Sequence, residues 1–394
     1  MNLKHAALTA MIGTLSMTAF ADVDWMILPK YSSSGRMLVQ GTRDATSRKG
    51  KPVGRITSGM RLDTPQTNKL VKYKYLRIGS ASGNFCFCGL NEKGLAVIFT
   101  GGDPTRDKNP AKMDGNTHRP NTATVIMLRS CATAQQAVRH MQDAFKKKII
   151  AGSAIFFIAD PNRAFVIECS PRHFASWELP HAFCVYSNCW KLPGMDDGSL
   201  GTADRAATNY QREWAAREAL KLAFDAKKTI SVADSIRASR VTVAEANGEE
   251  FAKHRGKTKL TTAPFNKNSA DSYLFDLDSE FPAELSCVYA AYGPARHTVY
   301  LPVPLGAADR LPNEVAQAAW TSRAYKLRDD ADPAAPMRPE LVEFEQKQLA
   351  EFAKARENAR GLLRQDKREE ARRILCDTLA KQARETLEFL NGLN

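Results

Sequence analysis

Apolar residues in this chain occur first as short runs between turn residues and later at helical spacing. Runs over 25–28, 37–39, 70–78, 85–88, 95–100, 152–158, 164–168, 174–178, 183–187, 272–277, 287–291 and 297–302 are too short for helices and predict strands. The stretch 83–102, GNFCFCGLNEKGLAVIFTGG, is the clearest. Gly83 and Asn84 lead into Phe85-Cys86-Phe87-Cys88, Asn and Gly in the polar turn 89–94 supply positive-φ positions, and the run 95–100 closes a hairpin. A second hairpin turns at Asp160-Pro161-Asn162-Arg163. Helical spacing covers 133–147, with Thr133 as a plausible cap, then 204–226 and 232–239, and resumes beyond 313. After a proline-rich break at 332–339, charges alternate with Leu341, Phe344, Leu349 and Phe352 through 340–394, which reads as a helical hairpin packed on one face and solvated on the other. Segments 45–69, 102–121 and 246–270 are polar and predict loops; 124–128 is apolar. Strands, mid-chain helices and further strands, with no internal repeat, give an α+β class in which sheets are sandwiched with helices.

Composition is that of an ordinary globular protein: 43% hydrophobic and 25% charged residues in 394 allow a large core. The net charge of +13 and pI near 9.3 favour anionic surroundings, such as nucleic acid, anionic envelope polymers or acidic small molecules. Zinc-finger spacing, aromatic RNA-binding motifs and a basic-region helix are all missing, so nucleic acid is the weaker partner.

The first 21 residues read as a secretory signal peptide: Lys4 and His5 at the start, a mostly apolar stretch 6–20, and Ala19-Phe20-Ala21 as a cleavage site. Cleavage there would expose Asp22-Val23-Asp24-Trp25 and send the chain to the periplasm or outside the cell. No later segment approaches ~20 apolar residues, so no membrane span is expected.

Eight cysteines, Cys86, Cys88, Cys131, Cys169, Cys184, Cys189, Cys287 and Cys376, permit disulfides in an exported chain, yet most lie in apolar runs where burial as small hydrophobes suffices. Cys86 and Cys88 share a strand face, and either could pair with Cys184 or Cys189. The seven histidines show no ligand spacing, and no cofactor or metal is indicated. Asp196 with Asp197, and Asp276 with Asp278, read as turn and surface acids.

Several segments together resemble the N-terminal-nucleophile hydrolases of the linear-amide class, which include choloylglycine hydrolases, penicillin acyltransferase-like peptidases and a family of cysteine dipeptidases. The segments are GRMLVQGTRD at 35–44, GLNEKGL at 89–95, GSAIFFIADPNRAFVIECSP at 152–171, Tyr186-Ser187-Asn188, Asp204-Arg205 at a helix start, and 271–306, whose end looks most like the dipeptidases. The resemblance implies a four-layer αββα sandwich over residues 22–330, with 331–394 as a helical C-terminal extension. It implies a hydrolase acting on linear amide or peptide bonds through an N-terminal Cys whose own α-amine is the base, since a thiol needs a base of near-neutral pKa. By motif, Asn91 resembles the family's oxyanion-side Asn, Asn188 its second site Asn, Arg43 the Arg near the nucleophile and Arg205 the later site Arg.

The chain departs from that pattern at the central atom. The family's Cys would fall near Val23 or Asp24, and no Cys, Ser or Thr occurs from Asp22 to Tyr31. Thr46 stands where the family often has an acid, with Asp44 as a neighbour that could substitute, and Ser187-Asn188-Cys189 replaces the frequent Ser-Asn-His. Each site residue also has a plain structural use: Asn in a tight turn or strand end, Arg in a salt bridge. Three readings follow: an amidase with an unusual nucleophile (Ser32 to Ser34, Cys88 or Cys189); a silent relative that binds a peptide or acyl-amide; and a non-catalytic interaction protein that meets an anionic envelope component with its basic surface.

Overall fold

In the computed structural model of the chain, the residues described are 22–44, 47–48, 51–52, 58–80, 85–102, 117–195, 203–242, 245, 269–332 and 336–393. The segment 1–21, Gly83 and Asn84, Thr46, Asp196 and Asp197, and most of the loops expected at 102–121 and 246–270 lie outside them.

Two antiparallel sheets form the middle of the molecule. One runs β12-β1-β2-β13-β14-β15, from β1 (Val23–Ile27), β2 (Met37–Asp44), β12 (Phe183–Ser187), β13 (Ser269–Leu277), β14 (Cys287–Tyr292) and β15 (Leu301–Pro304). The other runs β11-β10-β9-β8-β7-β6-β5, from β5 (Ser58–Asp63), β6 (Tyr75–Ser80), β7 (Cys86–Asn91), β8 (Ala96–Gly101), β9 (Ala154–Ala159), β10 (Ala164–Cys169) and β11 (Phe174–Glu178). A two-stranded ribbon pairs β3 (Ser47–Arg48) with β4 (Lys51–Pro52).

Helices α1 (Pro120–Ser130) and α2 (Ala134–Lys146) cover the outside of the seven-stranded sheet. The six-stranded sheet is covered by α3 (Ala203–Lys227), α4 (Val232–Ala238) and a C-terminal pair, α8 (Pro339–Arg364) and α9 (Arg368–Gly392); shorter helices lie between them at α5 (Pro282–Leu285), α6 (Asn313–Ala316) and α7 (Thr321–Asp329). The class is therefore α+β, in the αββα layer order that the resemblance implies, with a helical C-terminal extension.

Most sheet residues are buried on both faces, which explains apolar runs without a polar alternation. In β9, Ile155, Phe157 and Ala159 enter the core between the sheets, while Phe156 and Ile158 pack with Met127, Val138 and Met141 beneath α1 and α2. Strand β1 divides the same way: Trp25 reaches the helical layer, where its Nε1 donates to Ser235 Oγ at 2.8 Å, so Asp22 and Asp24, three and one positions before it, belong to the face toward the other sheet.

Thr133 caps α2 as expected, its side chain accepting from Gln136 N at 3.2 Å. The hairpin at 83–102 becomes β7 and β8, and Gly94 turns it at φ +80, where an added Cβ would lie 3.1 Å from Pro161 and Pro282.

Four expectations are corrected. Residues 58–63, expected in a loop, form β5; it is an edge strand with Arg61 outside, so its pattern is polar. The strand expected at 70–78 begins only at Tyr75, because Leu70 is 66% exposed and precedes a turn. The strand expected at 297–302 is a 3-10 turn at Ala295–His297 followed by β15, whose prolines 302 and 304 sit on a sheet edge. Asp276 and Asp278 are not surface acids: both are buried, and they receive Arg36 and Arg356, and Arg360, respectively. That contact is part of a ladder in which Arg356, Arg360, Arg364, Arg368 and Arg372 of the C-terminal pair meet Asp276, Asp278, Glu280, Glu284 and Asp309.

Candidate functional site

The sheets meet at the start of β1. Because Val23 pairs with Ser187, the residue before β1 and the residue after β12 lie side by side, and Asp22 N donates to Asn188 Oδ1 at 2.6 Å. Asn188 Nδ2 reaches into the other sheet, donating to Thr100 Oγ1 at 2.8 Å and Gly101 O at 2.7 Å. Thr100 Oγ1 in turn donates to Asp22 Oδ2 at 2.7 Å, and Asp44 N donates to Asp22 Oδ1 at 2.9 Å. One side chain, Asp22, is thus held by both sheets.

Around it lies an uneven set of charges. Asp44 pairs with Arg212 at 3.1 Å, and Arg43 forks onto Asp271, with Nε donating to Oδ1 at 2.7 Å. The Arg43 guanidinium also lies 3.9 Å from the Phe87 ring centroid. Asp22 and Asp24 have no such cation among the described residues. Burial, then the charge of Asp44, pushes the Asp22 carboxyl up to about 7, against the pull of its hydrogen bonds and Arg212. Burial, then Asp22, raises Asp24 well above the carboxylate range.

Asp22 and Asp24 line a narrow cavity between the sheets, with Arg43, Phe87, Cys88, Ile98 and Tyr273. Its free volume of about 20 Å³ admits water, for which roughly 10–15 Å³ suffices. The sheets approach closely here: a Cβ on Gly41 would lie 3.0 Å from Ile98 and 3.3 Å from Asp24 Oδ1.

The residues expected from sequence divide. Arg43 lines the cavity, and Asn188 touches Asp22. Asn91 does not join them. Its Oδ1 accepts from Lys93 N and Leu95 N at 3.0 and 3.1 Å, and its Nδ2 donates to Leu128 O and Cys131 O at 2.9 and 2.8 Å, so it ties the hairpin turn to the end of α1. Arg205 is in the first turns of α3, and its side chain lies outside the described residues. Two turns on, Arg212 is the buried guanidinium that meets Asp44. Ser32 and Ser34 hydrogen-bond to each other at 2.9 Å in the turn joining β1 to β2, at the far end of that hairpin from Asp22.

All eight cysteines are free and buried, so neither Cys86 nor Cys88 pairs with Cys184 or Cys189. Cys88 borders the cavity, but burial, then Cys86, drives its thiol well above the ordinary value, away from the thiolate that nucleophilic attack needs. Cys189 accepts from Asn209 Nδ2 at 3.6 Å. Thr100 is the hydroxyl bonded to the Asp22 carboxyl, yet it is buried and off the cavity wall.

Sequence reasoning did not single out Asp22, Asp24, Thr100, Arg212 or Asp271 as site residues. One signal was available: two aspartates at alternate positions in an otherwise apolar strand, hence on one buried face. Among the described residues no group of three His, Cys, Asp or Glu side chains converges to hold a metal ion, and no helix is long and apolar enough to cross a membrane.

No family model and no curated protein matches this chain. Solved structures similar to it include a variant of conjugated bile acid hydrolase from Clostridium perfringens, at 12% identity and TM-score 0.42, covering 69% of this chain and 89% of that one. An N-acylethanolamine-hydrolyzing acid amidase ortholog from Caenorhabditis elegans has 12% identity and TM-score 0.38, covering 64% and 91%. Penicillin V acylase from Agrobacterium tumefaciens has 12% identity and TM-score 0.38, covering 72% and 86%. Likenesses this loose carry no weight on the chemistry of this chain.

Proposed function

We propose that this chain is an exported relative of the linear-amide hydrolases that holds a small peptide or acyl-amide in the cavity between its sheets without cleaving it through a thiol. The observation that carries the reading is Asp22. Next to the position near Val23 or Asp24 where the resemblance calls for a nucleophilic Cys, it puts a carboxyl group fastened by Asn188, Thr100 and Asp44. A carboxyl so bound lacks the free, basic neighbour that activates a nucleophile. Cys88, the thiol on the cavity wall, is buried and kept protonated.

The interaction reading, in which a basic surface meets an anionic envelope component, has less support. Five arginines of the C-terminal pair are engaged with acids of this same chain.

The test is a panel of dipeptides and N-acyl amino acids, each scored for hydrolysis and for its effect on the thermal midpoint. A rise in midpoint with the ligand recovered intact is expected. Multiple turnovers that disappear in Cys88→Ala would overturn the reading.

A further inference from the structure

On the cavity wall, Asp24 Oδ2 and Tyr273 Oη have no hydrogen-bond partner among the described residues. Both residues are 1% exposed. Asp24 Oδ1 already accepts from Thr42 N at 3.1 Å, so the free oxygen is the part of that carboxylate turned to other use. Leaving a carboxyl oxygen buried with no partner is costly, and a native site retains one where a ligand supplies the partner.

The charges say which donor. Among the described residues near the cavity, Asp22, Asp24, Asp44 and Asp271 stand against Arg43 and Arg212. The two arginines are matched by Asp271 and Asp44, which leaves Asp22 and Asp24 as surplus acids. Proton uptake can neutralise them, and so can a cation. The Phe87 ring on the wall already carries one cation, the Arg43 guanidinium at 3.9 Å, and adds nothing for a second. The free volume of about 20 Å³ limits what enters to a small head group.

We infer that the cavity seats a primary ammonium group, donated to Asp24 Oδ2 and Tyr273 Oη, and that its bearer is a small peptide with a free amino end. This rests on the binding function proposed above and chooses between its two ligand classes, because an N-acylated amide has no ammonium to offer. The same ammonium has a second source: a chain beginning at Asp22 would carry its own, on the nitrogen that now donates to Asn188.

Protons report the binding. Groups facing Asp24 are Asp22 just before β1, Asp44 and Arg43 on β2, Arg212 on α3, Asp271 on β13 and the Cys88 thiol on β7. Of these, Asp22, raised to about 7, titrates in the accessible range. An ammonium that takes the place of the proton held on Asp24 releases it, so affinity tightens as pH rises toward the peptide amine's own pKa of about 7.7–8.

The experiment is calorimetric titration with alanyl-alanine and with its N-acetyl derivative, from pH 5.5 to 7.5 in two buffers of different ionisation heat. It uses the chain with its first 21 residues and the chain starting at Asp22. Binding of the free-amine peptide at least tenfold tighter than the N-acetyl form, with proton release and loss of the preference in Asp24→Asn, is the expected result. Tyr273→Phe, which keeps the ring, should weaken the preference without ending it and serves if Asp24→Asn fails to fold. A preference confined to the longer chain upholds the ammonium seat and assigns its occupant to the chain's own α-amine. Equal binding of both peptides overturns the inference and leaves the binding function standing; binding of neither to either chain overturns both.

Discussion

The main-chain nitrogen of Asp22 and the side-chain oxygen of Asn188 lie 2.6 Å apart and tie the ends of two neighbouring strands of one sheet. The register of β1 on β12 sets the two residues next to each other, and Asn188 Nδ2 carries the link across to Thr100 and Gly101. Asn188→Ala would leave the buried groups of Asp22, Thr100 and Gly101 short of partners, at a cost of about 1–3 kcal/mol or more. A lower denaturant midpoint at an unchanged slope is the expected observation.

Asp24→Asn has the opposite sign. Because Asp24 is raised above its ordinary 3.8, the folded chain keeps the proton where the unfolded chain loses it. Its contribution to stability is therefore complete below about pH 3.8 and declines as pH rises toward the folded value; Asp22 declines likewise between 3.8 and about 7. Asparagine does not ionise. The variant should match the parent near pH 4 and exceed it by roughly 1–3 kcal/mol at pH 7, read from urea melts across that range.

Asn91→Ala separates a structural from a chemical role. All its hydrogen bonds are to backbone groups of the hairpin turn and the end of α1. It should lose about 1–3 kcal/mol of stability and bind the alanyl peptide as the parent does. A folded variant whose affinity falls tenfold would place Asn91 at the ligand.

Arg356 is buried against Asp276 on the six-stranded sheet. Arg356→Met leaves that acid with Arg36 as its remaining ion-pair partner, and breaking a buried pair costs about 3–5 kcal/mol. Thermal unfolding should show the loss, with the C-terminal helices the first to exchange their amide hydrogens.

The sandwich was legible in the sequence because both sheets are covered: 95–99, 154–158 and 287–291 are uninterrupted apolar runs, and local spacing suffices to find such strands. Two of the sheets' four edge strands were not. Ser58–Asp63 carries Arg61 outward, and Leu301–Pro304 carries two prolines, so neither looks like a core strand. The site was half legible. Arg43 and Asn188 stand out by motif and both lie at the cavity or beside it. Asp271 and Arg212 did not stand out because they are 228 and 168 positions from the partners that explain them, Arg43 and Asp44. Asn91 matches a motif and serves the hairpin turn. A tight turn and an oxyanion donor select the same residue type, and only the hydrogen bonds tell them apart.

The most direct test of a ligand site without a nucleophile is the intact mass of the protein quenched at intervals after mixing with an activated acyl-amide and with a dipeptide. The account expects one unshifted mass at every interval, with both compounds recovered whole. A transient gain equal to the acyl group, on Cys88, Thr100 or any other residue, would contradict it.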